Sequence, residues 1–404
     1  MNHRTAFSRR AWLKGFGAVA GAALAPRLAG GRWIGQACAG PGPNAKAAAV
    51  SIFFEGGFNA LFSSADSFAS NNTFGVTSTN VRNVGNGLVV DAATMGSLGA
   101  WALGHMAAIG NRHGATDHIS AQRNNFSDGS QSFVVQLAAA MGGSAAFKAA
   151  ALGSLPMQGP STASGGVSLQ LLRSMEDVST ALGVGPIDFH RPARNVAAAA
   201  LTRSRQMSAS ALAANPSSLS FARDAYDTDV ASLSKPPIAV DFAQIAQAYG
   251  APAGGTLDAI PAKLAAAEMM LRSGTNVVTM SDTGWDTHGD RTGTTVRRRM
   301  GTEVIPALRT FLARLQSEPV LAAMNVTVML HGDFARSLPG SDHAPALSAL
   351  VIGSNVKVGT TGRVKPAVTL PGNPGASREM WSYLAALSKV PTNPFGPNPH
   401  ALVM

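Results

Sequence analysis

The sequence has 404 residues, of which 46% are hydrophobic and only 13% are charged, and it includes 43 glycines. This composition excludes a globally disordered chain, and the length allows one large domain or two modest ones with a substantial core. The formal net charge of +10 does not indicate a nucleic-acid partner, because several basic residues lie in the first 32 positions and the others form no stripe interleaved with aromatic residues.

The N-terminal segment "SRRAWLKGFGAVAGAALAP" carries the twin arginines Arg9 and Arg10, followed by a Gly/Ala-rich apolar stretch that is too short to span a bilayer. A small-x-small cleavage site, "ACA", follows at 37–39. This pattern is typical of a twin-arginine export signal. We therefore expect a signal peptide over residues 1–39 and a mature domain over residues 40–404. The domain is expected in the periplasm or outside the cell, with membrane contact only through the export machinery.

Apolar runs and helical patterns alternate along the mature domain, which predicts an α/β fold with a mostly parallel central sheet sandwiched by helices. An alanine-rich stretch at about 190–272 is predicted to be a helical insertion. Ligands of such sheets bind outside the carboxyl ends of the strands. Strands are predicted at 47–54, in the second half of 96–110, and at 275–281, 325–330 and 346–353; helices are predicted at 127–143, at 296–317 with a kink near Pro306, and at 377–390.

Metal-capable side chains recur in segments that follow apolar runs, namely 53–62, 114–122, 281–290 and 328–346. Carboxylate oxygen together with imidazole nitrogen suits zinc, manganese or iron. One Asp/His pair alone is weak evidence because charged loops are common. The recurrence of such pairs after separate strands is the stronger signal, since loops at one sheet edge can pool ligands that are distant in sequence.

Several short motifs resemble the exported, sulfatase-like family catalogued as domain of unknown function 1501, which is related to the alkaline-phosphatase-like superfamily. The twin-arginine start is also typical of that family. The motifs are "GGFNALF" (56–62), "DHISAQ" (117–122), "GWDTHG" (284–289), "DFAR" (333–336) and "GSDHAPAL" (340–347).

The resemblance implies an α/β/α sandwich with one or two metals at the strand ends. By motif position, the implied ligands are Asp286, His288, Asp333 and His343. Asn59 stands where family members often carry aspartate, so its side chain would be a weaker ligand. Another implied residue is Asp342, either as a ligand or as a partner that orients the neighbouring histidine. The expected cofactor is a divalent metal, with zinc, manganese and calcium as candidates.

The resemblance also implies a hydroxyl nucleophile, for which Thr116 and Ser120 are the local candidates. His118 is interpreted as a further ligand or a proton shuttle. Arg336 is predicted to pair with Asp333 or to stabilise an anionic substrate.

Two functions remain open. The first is a metal-dependent hydrolase of phosphate or sulfate esters, acting on an anionic small molecule or a polysaccharide ester. The alternative is a non-catalytic exported binding or assembly protein on a degenerate scaffold, which the neutral Asn59 and the rearranged segment 117–120 favour. A nicotinamide-dependent oxidoreductase is disfavoured because no G-x-G-x-x-G follows the first predicted strand. We also expect Asp282 and Asp290 to face solvent. His331 is interpreted either as one of the metal-capable residues of segment 328–346 or as a histidine hydrogen-bonded at a strand end.

Overall fold

Most of the chain is described by a computed structural model. The predicted signal peptide, the predicted ligand Asp342 and part of the predicted helical insertion lie outside the described residues. Within the described part, no helix has both the length and the apolar character that crossing a membrane requires. The described residues are 46–69, 75–143, 145, 147–154, 163–164, 167–182, 194–214, 240–336, 343–344, 346–362, 364–365, 367–368 and 377–404.

The strands of the described residues have the following bounds. They are β1 (Lys46–Phe54), β2 (Phe58–Asn59), β3 (Val81–Gly85), β4 (Leu88–Asp91), β5 (Met106–Arg112), β6 (Ala149–Leu152), β7 (Ala163–Ser164), β8 (Val167–Leu172), β9 (Val277–Asp282), β10 (Met324–Gly332), β11 (Ala335–Arg336), β12 (His343–Ala344), β13 (Ala346–Gly353), β14 (Gly359–Thr360), β15 (Val364–Lys365) and β16 (Ala367–Val368).

The central sheet of the described chain has nine strands in the order β14-β5-β13-β10-β1-β9-β6-β8-β7. Strand β1 pairs in parallel with β10 and β9, and β6 pairs in parallel with β9 and β8. The predicted α/β fold with a mostly parallel sheet is therefore confirmed. Strand β13 is an exception, because it runs antiparallel between β10 and β5.

Helices cover both faces of this sheet. Alternate residues of β1 face different cores, with Ile52 and Phe54 in the larger cluster and Phe53 in the smaller. A strand buried on both faces reads as a continuous apolar run, as β1 does. The α-helices are Asp66–Ala69, Ala100–Gly104, His118–Phe126, Phe133–Met141, Met175–Leu182, Arg194–Met207, Ala209–Ala214, Phe242–Ala248, Ile260–Ser273, Thr294–Arg299, Ile305–Ser317, Pro319–Ala322 and Arg378–Leu387.

Two predicted helices differ in detail from the structure. The first begins at Phe133 with Ser132 as its N-cap. The predicted helix start at 127 was wrong, because the Asp128 carboxylate accepts from the backbone N–H groups of Ser130 and Gln131 in a turn that precedes the helix. In the second, a π-helical turn at Met300–Val304 interrupts the helix just before Pro306, as the predicted kink requires. Proline lacks the N–H that would continue the regular ladder.

The described residues of the alanine-rich stretch form four helices, with turns and loop between them at 249–259: Arg194–Met207, Ala209–Ala214, Phe242–Ala248 and Ile260–Ser273. The last of these helices is buried in the larger core. This helix carries Lys263 and Glu268, two buried ionisable residues that the helical pattern did not reveal. Glu268 accepts hydrogen bonds from Arg314 and Arg272, and also from the hydroxyl of Tyr249. The buried carboxylate is thereby paired, as a charge removed from water must be.

Four segments of the chain converge on one edge of the sheet. The parallel strands β1, β9 and β10 end there, and so does β5, which runs in the same direction as β10. Strand β13 runs the opposite way, so its beginning lies at the same edge, with Ala346 beside Arg112. The residues that follow β1, β5, β9 and β10, and those that precede β13, are therefore neighbours.

Candidate metal centre

The loop after β9 folds back over the end of β1. Backbone N–H groups of Glu55 and Trp285 donate to the carbonyls of Asp282 and Glu55, at 2.8 and 3.1 Å. Gly56 has a φ of +113°, and a Cβ at this position would overlap the backbone of Trp285 and Asp286. Only glycine allows this close approach without strain. The Asp286 side chain is consequently held directly above the end of β1.

Asp282 is buried beneath this loop, so the prediction that it faces solvent is wrong. Its carboxylate accepts from Trp285 Nε1 at 2.7 Å and from Arg299 at 2.9 Å, and Lys263 Nζ lies 3.9 Å away. The Arg299 guanidinium also lies 4.6 Å from the centre of the Trp285 ring. Asp290 is partly buried as well, and it accepts from the N–H of Val296 at 2.8 Å. Both aspartates stabilise the loop from within.

His118 opens the helix that follows β5, and Asp117 caps this helix by accepting from Ser120 N at 2.8 Å. The Nδ1 of His118 lies 2.6 Å from Oδ2 of the fully buried Asp333. An ionised carboxylate can only accept, so Nδ1 carries the proton and Nε2 is left available to a metal. This carboxylate–histidine pairing is the usual way in which proteins orient a metal-binding imidazole.

The end of β10 is anchored to the same helix. The side-chain Nδ2 of Asn125 donates to the carbonyls of Gly332 and Asp333 at 3.0 and 2.9 Å. The backbone carbonyl of Asn125 accepts from Trp381 Nε1 at 2.7 Å. The backbone N–H of Gly56 also donates to Asp333 Oδ2, at 3.2 Å. Asp333 is therefore fixed both through its backbone and through its side chain.

His343 approaches from β12 and is held by the backbone of Thr116, whose carbonyl lies 2.5 Å from His343 Nδ1. Because a carbonyl only accepts, Nδ1 carries the proton and Nε2 of the neutral ring is bare. That Nε2 lies 2.9 Å from Nε2 of His288. Without a metal, His288 must therefore donate its Nε2 hydrogen to His343, and a metal binding between them would displace this hydrogen.

Asp286 connects the histidines to Arg336. One carboxylate oxygen, Oδ2, lies 3.6 Å from His118 Nε2, and the other, Oδ1, lies 3.5 Å from His288 Nε2. The fully buried Arg336 forms an ion pair with Oδ1 and donates through Nε to the carbonyl of Gly56 at 2.7 Å. The ion pair that the structure shows for Arg336 is thus with Asp286 and not with Asp333 as predicted.

The protonation states follow from these surroundings. Burial acts to raise the pKa of Asp286, but the hydrogen bond and charge of Arg336 outweigh it and hold the pKa below its usual value. Burial raises the pKa of Asp333 more than the hydrogen bonds from His118 and Gly56 lower it. Burial also lowers the pKa of His343, which favours the neutral ring that a metal requires.

The donor set fits a divalent metal of the zinc type. Ligand atoms of His118, Asp286 and His343 all lie within 4.8 Å of one another. Donors bound to one zinc at about 2.0–2.2 Å are roughly 3.3–3.6 Å apart, so closing around an ion takes inward movements of about 1 Å. His288 would be a fourth donor. Two of the side chains face solvent, since Asp286 and His288 are 52% and 50% exposed, so the site is accessible.

The other predicted site residues have different surroundings. Asn59 is buried, and its Oδ1 caps a short 3-10 helix by accepting from Leu61 N at 3.0 Å. Thr116 contributes its carbonyl, as described above. Ser120 donates its backbone N–H to the carboxylate of Asp117, as described above. His331 is completely buried with Nε2 2.8 Å from Ser51 Oγ, which confirms the predicted hydrogen bond.

Two groups of the site were not predicted from the sequence, the Thr116 carbonyl and the Phe334 ring. A backbone carbonyl is present at every residue, so the residue type of Thr116 gives no sign of its role. The ring of Phe334 lies against two of the histidines, with centroids 4.0 Å from His343 and 5.1 Å from His118. Phe334 could have been predicted to lie near the site, because it directly follows Asp333 and so lies at the same strand end.

Comparison with known proteins gives a family but no characterised relative. No curated protein and no solved structure matches the chain. Residues 77–367 match the family described as "Protein of unknown function (DUF1501)". This match covers more than half of the 404 residues and includes the segments that supply His118, Asp286 and His343. The chain therefore belongs to the DUF1501 family.

Proposed function

We propose that this protein is a metal-dependent hydrolase of phosphate or sulfate esters, with a single divalent metal held by His118, Asp286, His288 and His343. The observation that carries the proposal concerns three of these residues, His118, Asp286 and His343. Their ligand atoms converge to within 4.8 Å of one another at the carboxyl edge of the parallel strands. This edge is where α/β proteins bind ligands. We further propose an alkaline-phosphatase-like architecture and an exported location, both of which rest on the sequence motifs.

The chain's own groups would keep the ligands in their binding forms. Asp333 holds the His118 proton at Nδ1, and the Thr116 carbonyl holds the His343 proton at Nδ1. Arg336 keeps Asp286 ionised. A bound cation would supply Lewis acidity toward an ester oxygen and toward water. The exposed sides of Asp286 and His288 leave an approach for the substrate.

The attacking group in this proposal is a water molecule. Ser120 contributes its backbone N–H to the cap of the helix His118–Phe126, and Thr116 contributes its carbonyl to His343, so we assign both residues structural roles. The water oxygen forms a bond to phosphorus or sulfur, the bond to the ester oxygen breaks, and the alcohol leaves with one of the protons. The other proton of the water ends on the phosphate or sulfate product or is released to solvent.

An anionic substrate is favoured by the charge of the site. The charge of Asp286 is neutralised by Arg336, which leaves Asp333 behind His118 as the remaining carboxylate of the groups described above. A dication would therefore leave a net positive site that attracts a phosphate or sulfate group. We assign Arg336 to holding Asp286 and not to contacting the substrate, because the guanidinium is completely buried.

Elemental analysis of the folded protein, purified without chelator, tests the metal. We expect about one zinc, manganese or iron per chain, and we expect His343→Ala to lose it while keeping the far-UV circular dichroism of the wild type. His105→Ala serves as the control, because His105 precedes β5 and so lies at the opposite end of that strand from the site. A metal-free wild type would sink the proposal. Turnover of a panel of aryl phosphates and aryl sulfates, abolished by chelation and restored by the metal, tests the reaction.

A second candidate is a non-catalytic exported binding or assembly protein on the same scaffold. The observation that favours it is that Ser120 and Thr116 contribute to the site through their backbones, while the predicted anion-binding group, Arg336, is bonded to Asp286 and Gly56. Stoichiometric metal together with no turnover across the ester panel would support this candidate over the hydrolase.

A further inference from the structure

Phe334 is completely buried, yet it lies at the sheet edge where the metal-binding side chains gather. It follows Asp333 in the turn between β10 and β11. Its ring centroid is 4.0 Å from that of His343 at an interplanar angle of 33°, and 5.1 Å from that of His118 at 44°. One apolar ring thus contacts two imidazoles that come from different elements.

Hydrogen bonds alone do not fix either imidazole. His118 is held through Nδ1 by Asp333, and His343 is held through Nδ1 by the carbonyl of Thr116. His343 Nε2 also accepts from His288 Nε2 at 2.9 Å, but a bound metal would displace that hydrogen bond. A ring held at Nδ1 alone can still turn about that bond, and such a turn sweeps Nε2 away from the metal position. A flat ring packed against the imidazole face blocks this turn. Phe334 supplies that face to both rings.

The surroundings of Phe334 prevent it from moving aside. It forms a small separate cluster with the buried Ala115 and Ala121, which flank His118 in the sequence. The guanidinium carbon of Arg336 lies 5.5 Å from the Phe334 ring. Close-packed neighbours of this kind hold a side chain in one rotamer.

We propose that Phe334 is a positioning residue that sets the spacing of His118 Nε2 and His343 Nε2, and thereby makes the site prefer a small tetrahedral ion such as zinc or cobalt over manganese. This inference rests on the proposed metal site. Rigid geometry selects between divalent ions that differ little in donor preference, and groups behind the ligands commonly change metal affinity by about 10–100-fold. Phe334 itself donates no electron pair.

Phe334→Leu tests the inference, with Phe311→Leu as the matched control. Phe311 is equally buried, but it lies in the helix Ile305–Ser317 within the larger core. We expect Phe334→Leu to lower the zinc-over-manganese affinity ratio by about 10-fold or more and to change the visible spectrum of the cobalt-loaded protein. The control should leave both unchanged at a comparable loss of melting temperature. Phe334→Tyr, which keeps the ring, should retain the wild-type spectrum.

Nuclear magnetic resonance of the metal-free protein supplies a readout that does not depend on the metal. In the wild type, the ring current of Phe334 should shift the ring protons of His343 upfield. These resonances should move downfield in Phe334→Leu and should change only slightly in Phe311→Leu. If Phe334→Leu does not fold, Phe334→Met replaces it in every measurement.

The outcomes separate the two ideas. An unchanged affinity ratio and cobalt spectrum in a folded Phe334→Leu overturn the positioning role and leave the proposed metal site intact. A wild type that binds neither zinc nor cobalt overturns the proposed function and the selectivity role together. If the histidine resonances do not respond to Phe334→Leu, the ring contact itself is refuted, whatever the metal measurements give.

Discussion

His331 should make this protein sensitive to mild acid, and replacing it should remove a defined part of that sensitivity. The ring lies in the middle of the sheet on β10, between Phe53 and Phe126 at centroid distances of 5.1 and 5.5 Å. Ser51 Oγ lies 2.8 Å from its Nε2. Burial lowers the pKa of His331 from its ordinary value of 6.5 to about 3, because a charged imidazole would be desolvated there.

The sign of the effect follows from the lowered pKa. Below pH 6.5 the unfolded chain binds a proton at His331 and the folded protein does not, until the pH approaches 3. The stabilisation is therefore complete above pH 6.5 and is lost as the pH falls. With a pKa of 6.5 in the unfolded chain and about 3 in the folded protein, the free energy of unfolding at pH 4.5 is lower than at pH 7.5 by roughly 2.5–3 kcal/mol. This is a large part of the free energy of unfolding of an ordinary domain.

Urea unfolding of wild type and His331→Leu at pH 7.5 and 4.5 measures this loss. His331→Leu is expected to be less stable at pH 7.5, because Ser51 loses its partner at a cost of about 1–3 kcal/mol. Its free energy of unfolding should nevertheless fall by roughly 2–3 kcal/mol less than that of the wild type between the two pH values. His113 and His400 also have pKa values lowered by burial, to about 4, but they contribute equally to both proteins. An identical pH dependence in the two proteins would refute the reasoning.

Two further substitutions test how the site is held. Asp333→Asn removes the charge behind His118 while keeping an oxygen acceptor, so the metal affinity measured by competition with a chelating dye should fall about 10–100-fold; an unchanged affinity would show that His118 is not oriented through this residue. Gly56→Ala places a methyl group into the backbone of Asp286 at a positive φ, so its free energy of unfolding in urea should fall by roughly 2 kcal/mol or more. Gly104→Ala, in the helix Ala100–Gly104 and with open space around its Cβ, should cause no loss, and equal losses at the two glycines would contradict the close approach at Gly56.

The parts of the fold that were predicted correctly are those in which one signal dominates. Long aliphatic runs gave β1, β10 and β13, because strands buried on both faces need no polar alternation. Strand β6, Ala149–Leu152, was missed, since a short alanine-rich run has little β-propensity to distinguish it from a helix. The antiparallel direction of β13 was also missed. Every residue of β13 is buried, so its sequence is the same kind of continuous apolar run as those of the parallel strands β1 and β10.

The error at Asp282 has a specific physical origin. Its charge predicted exposure, which is right for most aspartates. Here two cations that are distant in sequence, Lys263 and Arg299, reach the same carboxylate, together with the indole N–H of Trp285. These partners meet only in the folded protein, because Lys263 lies in the helix Ile260–Ser273, Arg299 in the helix Thr294–Arg299 and Trp285 in the loop after β9. The local sequence around Asp282 therefore could not reveal them.

The groups that hold the ligands matter as much as the ligands for what the site can do. His118, His343 and Asp286 are each fixed by a protein group, namely the Asp333 carboxylate, the Thr116 carbonyl and the Arg336 guanidinium. None of these bonds requires an ion, so the donor arrangement is a property of the folded chain itself. The cost of ordering the three side chains is thus met during folding, and a metal that arrives later loses less binding free energy to ordering them. In the proposed metal site the groups behind the ligands would add to the affinity, which is why Asp333 and Phe334 should be as informative to substitute as the ligands.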